Sequence, residues 1–475
     1  MLNPLIAASA TELAKRLRMR EISSVEVVEA HLDRIDDVDG VLNAIPCRRD
    51  RDAVLADAAK LDALDEPSGP LHGLPIAVKD LQNVAGLPTS HGSPVMGLTP
   101  QSKDGPVAER LRAAGAVIVG KTNTPEWGTG SHTFNPIYGL TRNPWNTDRS
   151  AGGSSGGAAA SLAARMLPIA DGSDLGGSLR NPAAFNGVVG LRPTVGTVPN
   201  RDARSHSLSR FGVEGPMGRT VADAALVLAA LAGPDPLDAI SRPIDPSIFL
   251  APLEPCEPPR VGWIGDVGGG FVCDAEPLAL ARHAAGVLGT AVELDVSFAG
   301  AERIFRVIRG ISYRGLGILF TPEQLGQMKA TVQENITYGQ SITADDIVEV
   351  DGLRSRLHRQ LHNLFNDVDV LALPTTQVAA FPTDWEFPTE VGGEKMTDYL
   401  GWMMSCCVIT ATGCPAISVP AGFTSEGLPV GLQLVAPIGA ERRLLEVAAA
   451  IEGRAPHHHL VPEIGEPTLS GPLSH

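Results

Sequence analysis

The chain is poor in lysine, in aromatic residues and in cysteine pairs, and each shortage excludes a class of function. Only seven lysines occur among 475 residues, so any lysine in an apolar setting is conspicuous. A formal net charge of −16 argues against nucleic acid, whose phosphates need clustered Lys and Arg. The six cysteines, at 47, 256, 273, 406, 407 and 414, form no C-x-x-C pair and have no histidine at metal-ligand spacing. Neither a disulfide framework nor a zinc site is expected. No uncharged apolar run reaches the length of a membrane span. The opening M-L-N-P-L-I-A-A-S-A has no basic start and runs into T-E-L-A-K-R-L-R, so it reads as the approach to a helix and not as a signal peptide. A cytoplasmic protein that touches neither membrane nor nucleic acid is the expectation. A hydrophobic content of 43% with 19% charged residues is ample for a packed core.

The local patterns alternate between helix and strand. Residues 9–35 read as two helices, opened by Ser9 or Thr11 and by Ser23 or Ser24, with Glu26 completing a cap. Residues 50–64 repeat the habit. Pro75-Ile76-Ala77-Val78 is a short buried strand with Lys79 at its C-terminal end, the place where sites gather in α/β sheets. For Lys79 an ion pair with Asp80 or another carboxylate and a role as a base weigh equally at this point. A helix over 104–113 and a strand at Ala116–Val119 follow, and Lys121 falls in what reads as a polar loop with a solvated side chain. Residues 136–149 read as irregular, 158–167 as a helix of small residues and 167–170 as a strand. Thr220 caps a helix over 221–231, and the proline-rich stretch 233–259 reads as a surface crossing. Helices dominate 276–288 and 300–365, Val368–Pro374 is a strand, and 413–436 reads as two strands joined at Ser425–Gly427. The loop 375–400 with nearby Trp402 reads as a surface loop, with its aromatics as an alternative pocket wall. His457–His459 reads as an incidental run in an exposed tail.

Chemistry concentrates between Ser150 and Arg180. Gly152, Gly153, Gly156 and Gly157 surround Ser154 and Ser155, and Gly176 and Gly177 precede Ser178. Glycines in such numbers imply either positive φ or close approach of a ligand whose negative charge the backbone N–H groups receive. A Gly/Ser linker would not alternate with Leu162, Met166, Leu167 and Ile169, which need burial. Gly152–Gly156 also satisfies the G-x-S-x-G elbow of Ser–His–Asp esterases, but N-P-W-N-T-D-R-S is not the hydrophobic strand which that elbow requires. Gly157-Ala158-Ala159 replaces the G-K-[ST] of a phosphate loop. Lys79, Ser154 and Ser178 remain, with no histidine required.

In V-K-D at 78–80, G-G-S-S-G-G at 152–157 and D-L-G-G-S-L-R at 174–180, with G-C-P-A-I-S-V-P-A-G and G-L-P-V-G-L-Q later, the chain resembles the amidase signature family over about residues 10–453. The resemblance implies a single α/β domain, with a central twisted mixed β-sheet covered by α-helices on both sides. Within it, 1–65 would be N-terminal helices, 66–235 the core, 236–370 a helical, variable substrate side, and 371–455 the closing strands and helix. It implies Ser178 as nucleophile, Ser154 at an unusual cis peptide bond as the bridge, and neutral Lys79 as the base. Backbone N–H groups of Leu175, Gly176, Gly177 and Ser178 would form the oxyanion hole, with Ser155, Ser173, Asp174 and Arg180 as orienting residues. For Asp174 and Arg180 a purely structural ion pair is the equal alternative. No metal or cofactor is implied, and the partner is a small-molecule amide. The family often forms homodimers.

Two positions depart from the pattern, Leu175 where Thr or Ile is common and Ala158 where Ser is common, and neither removes a reacting group. The function expected is hydrolysis of hydrophobic or aryl amides, with carbamates and esters as further substrates. Residues 236–400 show no glutamine-recognition pattern, which weakens the alternative of the glutaminase component of a tRNA-dependent amidotransferase. A catalytically idle binding protein of the same fold is the other alternative.

Overall fold

A computed structural model describes residues 2–202, 211–254 and 257–469. Its smaller sheet has three strands, β1 (Cys47–Arg48), β2 (Pro75–Lys79) and β3 (Val117–Thr122), with β3 in the centre and parallel to β2. The larger sheet has eight. They are β4 (Ile169–Asp174), β5 (Val189–Arg192), β6 (Val213–Gly218), β7 (Val261–Trp263), β8 (Ala291–Glu293), β9 (Val370–Pro374), β10 (Ala416–Phe423) and β11 (Pro429–Val435). Across the sheet they run β8-β7-β9-β11-β10-β5-β6-β4. β7 is parallel to both its neighbours, and every other pairing is antiparallel. The mixed α/β expectation holds.

Burial on both faces explains why the central strands read as continuous apolar runs. In β9, Val370 and Ala372 join one hydrophobic cluster while Leu371 and Leu373 join the opposite one. The first face is covered by helices Val221–Leu231, Ala275–Ala285 and Glu441–Arg454, the second by Ala301–Gly317 and Met404–Thr412. The helix starts obey their caps. Ser9 Oγ accepts from the Glu12 N–H at 3.1 Å, Ser23 and Glu26 form a full capping box, and Thr220 Oγ1 accepts from the Asp223 N–H. Phe249, 2% exposed, pins the proline-rich crossing to the first cluster. Cys256 lies outside the described residues, and the other five cysteines are free thiols.

Several elements differ from expectation. The strand expected at 167–170 runs on to Asp174, and β6 pairs antiparallel with its whole length. Three polar residues hid that extension, since Asp171, Ser173 and Asp174 break the apolar pattern that marks a strand. The stretch 136–149 contains short pairings, Phe134–Asn135 with Gly139–Leu140 and Arg142–Asn143 with Asn146–Ser150. The region 300–365 divides into Ala301–Gly317, Pro322–Leu325, Ala330–Ser341 and Ala344–Asp367, with Thr321 and Thr343 each opening a new capping box.

Lys121 is the clearest correction. It is not solvated in a loop but fully buried in β3, and its ammonium pairs with Asp80 Oδ1 at 3.0 Å. Further acceptors are the carbonyls of Gln82 and Pro88 and the Thr89 hydroxyl. The polar neighbours that suggested a loop are the groups that satisfy a buried cation. Lys121→Met leaves the Asp80 carboxylate buried without its cation and is expected to cost about 3–5 kcal/mol, measured as a lowered urea midpoint. Adding Asp80→Asn to that variant should restore part of the loss, and a single variant as stable as wild type would sink the assignment.

Candidate active site

The C-terminal end of β2 delivers Lys79 into the seam between the two sheets. Its backbone N–H donates to Asp171 Oδ1 on β4 at 3.0 Å, and its Nζ lies among three hydroxyls. These are Ser154 Oγ at 2.7 Å, Ser155 Oγ at 2.8 Å and Ser173 Oγ at 3.0 Å. The side chain is wholly buried. Burial pushes the ammonium down to about 8, while Glu214, Asp171 and Asp174 pull it the other way. Asp80, the expected ion-pair alternative, is committed to Lys121. Ser155 and Ser173, expected as orienting residues, both touch Lys79 directly.

Ser154 follows Gly153 through a cis peptide bond, and the Gly153 carbonyl accepts from the Ser131 hydroxyl at 2.6 Å. Ser155 opens the helix Gly156–Ala163, and its N–H donates to the Ser178 carbonyl at 3.1 Å. The two glycine–serine segments are thereby tied to one another. Close packing explains the glycines here. A Cβ on Gly157 would meet the Asn123 backbone nitrogen at 2.4 Å, and one on Gly156 would meet Thr133 Oγ1 at 2.2 Å. The nearest histidine-containing pair does not involve Ser154. His132 Nδ1 bonds Ser150 Oγ at 2.8 Å, so the esterase arrangement on Ser154 finds no support in the geometry.

Asp174 shapes the second segment. Its carboxylate accepts from the Gly177 N–H at 2.9 Å and the Leu179 N–H at 3.2 Å, and it pairs with Arg180 through two bonds of 2.9 Å. Arg192 approaches the same carboxylate at 3.5 Å. Burial alone would raise this carboxyl, but Arg180, Arg192 and the Gly177 N–H hold it well below the usual carboxylate range. Arg180 also reaches Gln433 Oε1, the Cys406 carbonyl and Thr410 Oγ1. The ion pair expected as an alternative for Asp174 and Arg180 is present, and it sets the loop at the same time.

One expected oxyanion donor is otherwise engaged. The Gly177 N–H points to Asp174 because that carboxylate needs donors inside its own turn. Among the described residues the N–H groups of Leu175, Gly176 and Ser178 have no acceptor, and all three residues line one cavity of about 270 Å³. Ser154 and Ser173 line it too. Ser178 is 7% exposed, and no hydrogen bond joins its hydroxyl to Ser154 among the described residues.

For the remaining walls the sequence offered only regions, 236–370 as the substrate side and the 375–400 aromatics as a pocket wall, without naming the residues. Trp127, Tyr313, Leu316, Leu400 and Met403 make the cavity largely apolar, and Glu214 and Arg309 add charge. Tyr313 and Arg309 stand on a helix whose amphipathic pattern gives no hint of a site. Of the aromatics in and beside the 375–400 loop, Tyr399 reaches the cavity. Trp402 packs between Phe185 and Phe381 in the core, and Trp385 is exposed.

Fold and site together define a mixed α/β protein in which a serine hydroxyl meets a buried lysine at the edge of a cavity. The family model described as Amidase matches residues 26–290 and 327–445. An acylamidase of Rhodococcus erythropolis is 37% identical over 461 residues, 94% of this chain and 95% of its own length. The glutamyl-tRNA(Gln) amidotransferase A-type subunit of Nocardia farcinica is 36% identical over 501 residues, 95% of this chain and 99% of its own. The crystal structure of a bacterial aryl acylamidase of the amidase signature family superposes with a TM-score of 0.87 at 28% identity, covering 96% and 97% of the two chains. The chain belongs to the amidase signature family.

The loop geometry makes a direct prediction. Gly177 has φ +111°, and a Cβ there would lie 2.7 Å from Cys406 Cβ and from Asn181 Nδ2. Gly177→Ala combines backbone strain with overpacking and is expected to cost about 2 kcal/mol or more. Thermal and denaturant unfolding would show it, and a neutral result would mean that the loop is not held where these distances put it.

Proposed function

We propose that the chain hydrolyses hydrophobic or aryl carboxylic amides through an acyl-enzyme on Ser178, with Ser154 relaying protons to Lys79. The observation that carries this reading is the 2.7 Å approach of Lys79 Nζ to Ser154 Oγ beside a cavity that Ser178 also lines. A serine is a weak nucleophile until an adjacent base takes its proton. Desolvation supplies that base, because a lysine that titrates near 8 is partly neutral at ordinary pH. In the reading, Ser178 Oγ bonds to the amide carbon as its proton passes to Ser154 and the Ser154 proton to Lys79. The N–H groups of Leu175, Gly176 and Ser178 receive the oxyanion. Collapse breaks the C–N bond, and the proton returns through Ser154 to the leaving nitrogen. Water then attacks the acyl carbon, gives its proton to the same relay and releases the carboxylic acid. Ser155, Ser173, Asp174 and Arg180 act as positioning residues. Carbamates and esters present the same acyl centre and fit the same route. The five free thiols support a reducing compartment.

A second reading is a glutaminase subunit that works within a complex, and the 36% identity to the Nocardia farcinica protein favours it. The two separate on one preparation. A simple amidase purified alone releases amine from an anilide, whereas the second reading requires a partner for turnover. A protein idle in both assays and unreactive toward an active-serine probe would leave only a binding role.

Intact-mass measurement on rapidly quenched mixtures with aryl and aliphatic amides is expected to show a transient acyl adduct on the Ser178 peptide. Ser178→Ala should abolish adduct and product together, and an adduct on Ser154 would overturn the assignment. The pH profile has a definite sign. The ammonium form of Lys79 carries no lone pair, so kcat/KM should fall about tenfold per unit below its pKa near 8 and level off above it. A rate independent of pH between 6 and about 9 would remove Lys79 from the role of base.

A further inference from the structure

Among the described residues that line the apolar cavity, Arg309 is the one cation, and no carboxylate forms an ion pair with it. Arg309, Ser312, Tyr313 and Leu316 recur at i, i+3, i+4 and i+7 along Ala301–Gly317, and all four line the cavity beside Ser178. Arg309 is 5% exposed, and among the described residues it takes part in no ion pair. Its contacts are neutral. Nη1 donates to Asn335 Oδ1 and Nη2 to Tyr399 Oη, while the guanidinium lies 4.2 Å from the Tyr313 ring centre and 5.5 Å from that of Tyr399. Of its five N–H donors, those two bonds use two.

Most of the neighbouring charges are committed to other partners, Glu334 being the exception among the described residues. Arg306, one turn away, is paired with Asp398 at 2.6 Å and with Glu302 at 2.7 Å. On the side away from Ser178 a smaller pocket of about 160 Å³ brings Glu334 and Asp398 to the same region, yet neither forms an ion pair with Arg309. Arg180 and Arg192, equally buried, share Asp174. A buried guanidinium without an anion is costly, and removing the cost takes an anion with good hydrogen-bond geometry. The planar fork of arginine suits a carboxylate above other groups.

We propose that Arg309 receives a carboxylate carried by the substrate away from the scissile bond, so that the preferred substrates are amides with an apolar or aryl body and one carboxylate. The proposal rests on the reading of this cavity as the amide site and narrows the substrate class within it. Asn335 and Tyr399 hold the fork in place, and Tyr313 supports its face. Trp127, Leu316 and Met403 pack the apolar body between Arg309 and Ser178.

The test measures binding without turnover, in the Ser178→Ala protein, so its failure is separable from failure of the hydrolytic reading, which wild-type turnover decides. Two probe pairs place the charge on opposite sides of the amide. They are N-benzoylglycine against N-benzoylglycinamide, and N-phenylsuccinamate against N-phenylsuccinamide. In one pair at least, the carboxylate is expected to bind about 10- to 100-fold more tightly than its neutral partner. With Arg309→Met added, that ratio should fall close to one, and with Arg309→Lys, which keeps the charge but loses the fork, to an intermediate value. Should Arg309→Met fail to fold, the lysine variant decides, and an undiminished ratio there overturns the proposal. Equal or weaker binding of both carboxylates, no binding of any probe, or a preference that survives loss of the guanidinium would also overturn it.

Discussion

One lysine kept from water governs the arrangement around it. An ammonium placed among hydroxyls loses its hydration without gaining a contact anion, and that imbalance frees its lone pair near neutral pH. A carboxylate in contact with Nζ opposes the effect by favouring the protonated form, as Asp80 does at Lys121, where burial still outweighs it. The three groups that touch Nζ are accordingly serines, while Glu214, Asp171 and Asp174 act on the ammonium as opposing charges, Asp171 bonding the Lys79 backbone N–H instead. Lys121 supplies the internal contrast. It lies on the neighbouring parallel strand, one register step from Lys79 and equally buried, but it has Asp80 at 3.0 Å. The same residue type at the same depth is ion-paired in one case and surrounded by hydroxyls in the other, and the difference is a single contacting carboxylate.

Asp174 performs the complementary task on the other side of the cavity. With Arg180 and Arg192 it forms a buried cluster, and the Gly177 and Leu179 N–H groups complete its coordination. That coordination folds the turn so that, among the described residues, the N–H groups of Leu175, Gly176 and Ser178 are left without acceptors beside the cavity. Unsatisfied donors in a buried turn are costly, and they persist where the surroundings over-determine the backbone. Gln433 on β11 and Thr410 on the helix Met404–Thr412 hold Arg180 from the far side, so the C-terminal strands stabilise a turn formed more than two hundred residues earlier. The late glycine-rich motifs are thus part of the same construction.

What was legible in the sequence follows from how local each signal is. Caps at Ser23 and Thr220 and the apolar runs of β2, β9 and β11 depend on neighbours in the chain, and they were readable. Lys79, Ser154 and Ser178 stood out because glycine beside serine at strand ends has few structural uses. The extension of β4 and the burial of Lys121 were not readable, because each replaces apolar pattern with polar residues whose partners lie on other elements. Asp171 belongs to the same group, since its role appears only when β2 and β4 meet. Polar residues on a buried strand look like loop until their partners are known. The engagement of Gly177 by Asp174 was equally invisible, being a matter of which way one N–H points.

The division between readable core and unreadable walls follows from which groups build each part of the cavity. The centre is assembled from 75–215, largely from backbone groups and hydroxyls whose spacing the sequence displays. The far wall comes from Ala301–Gly317 and from 399–403, where Arg309, Tyr313 and Tyr399 act through side chains that any amphipathic helix or loop could carry. An acylamidase and an amidotransferase component resemble this chain to nearly the same degree, so identity summed over the whole length does not separate the two substrate classes. Discrimination between substrates rests instead on a few side chains, where one buried charge or one hydrogen-bonded group can outweigh many apolar contacts. Arg309, charged and without an anion, is the member of that wall with the strongest electrostatic demand on whatever enters.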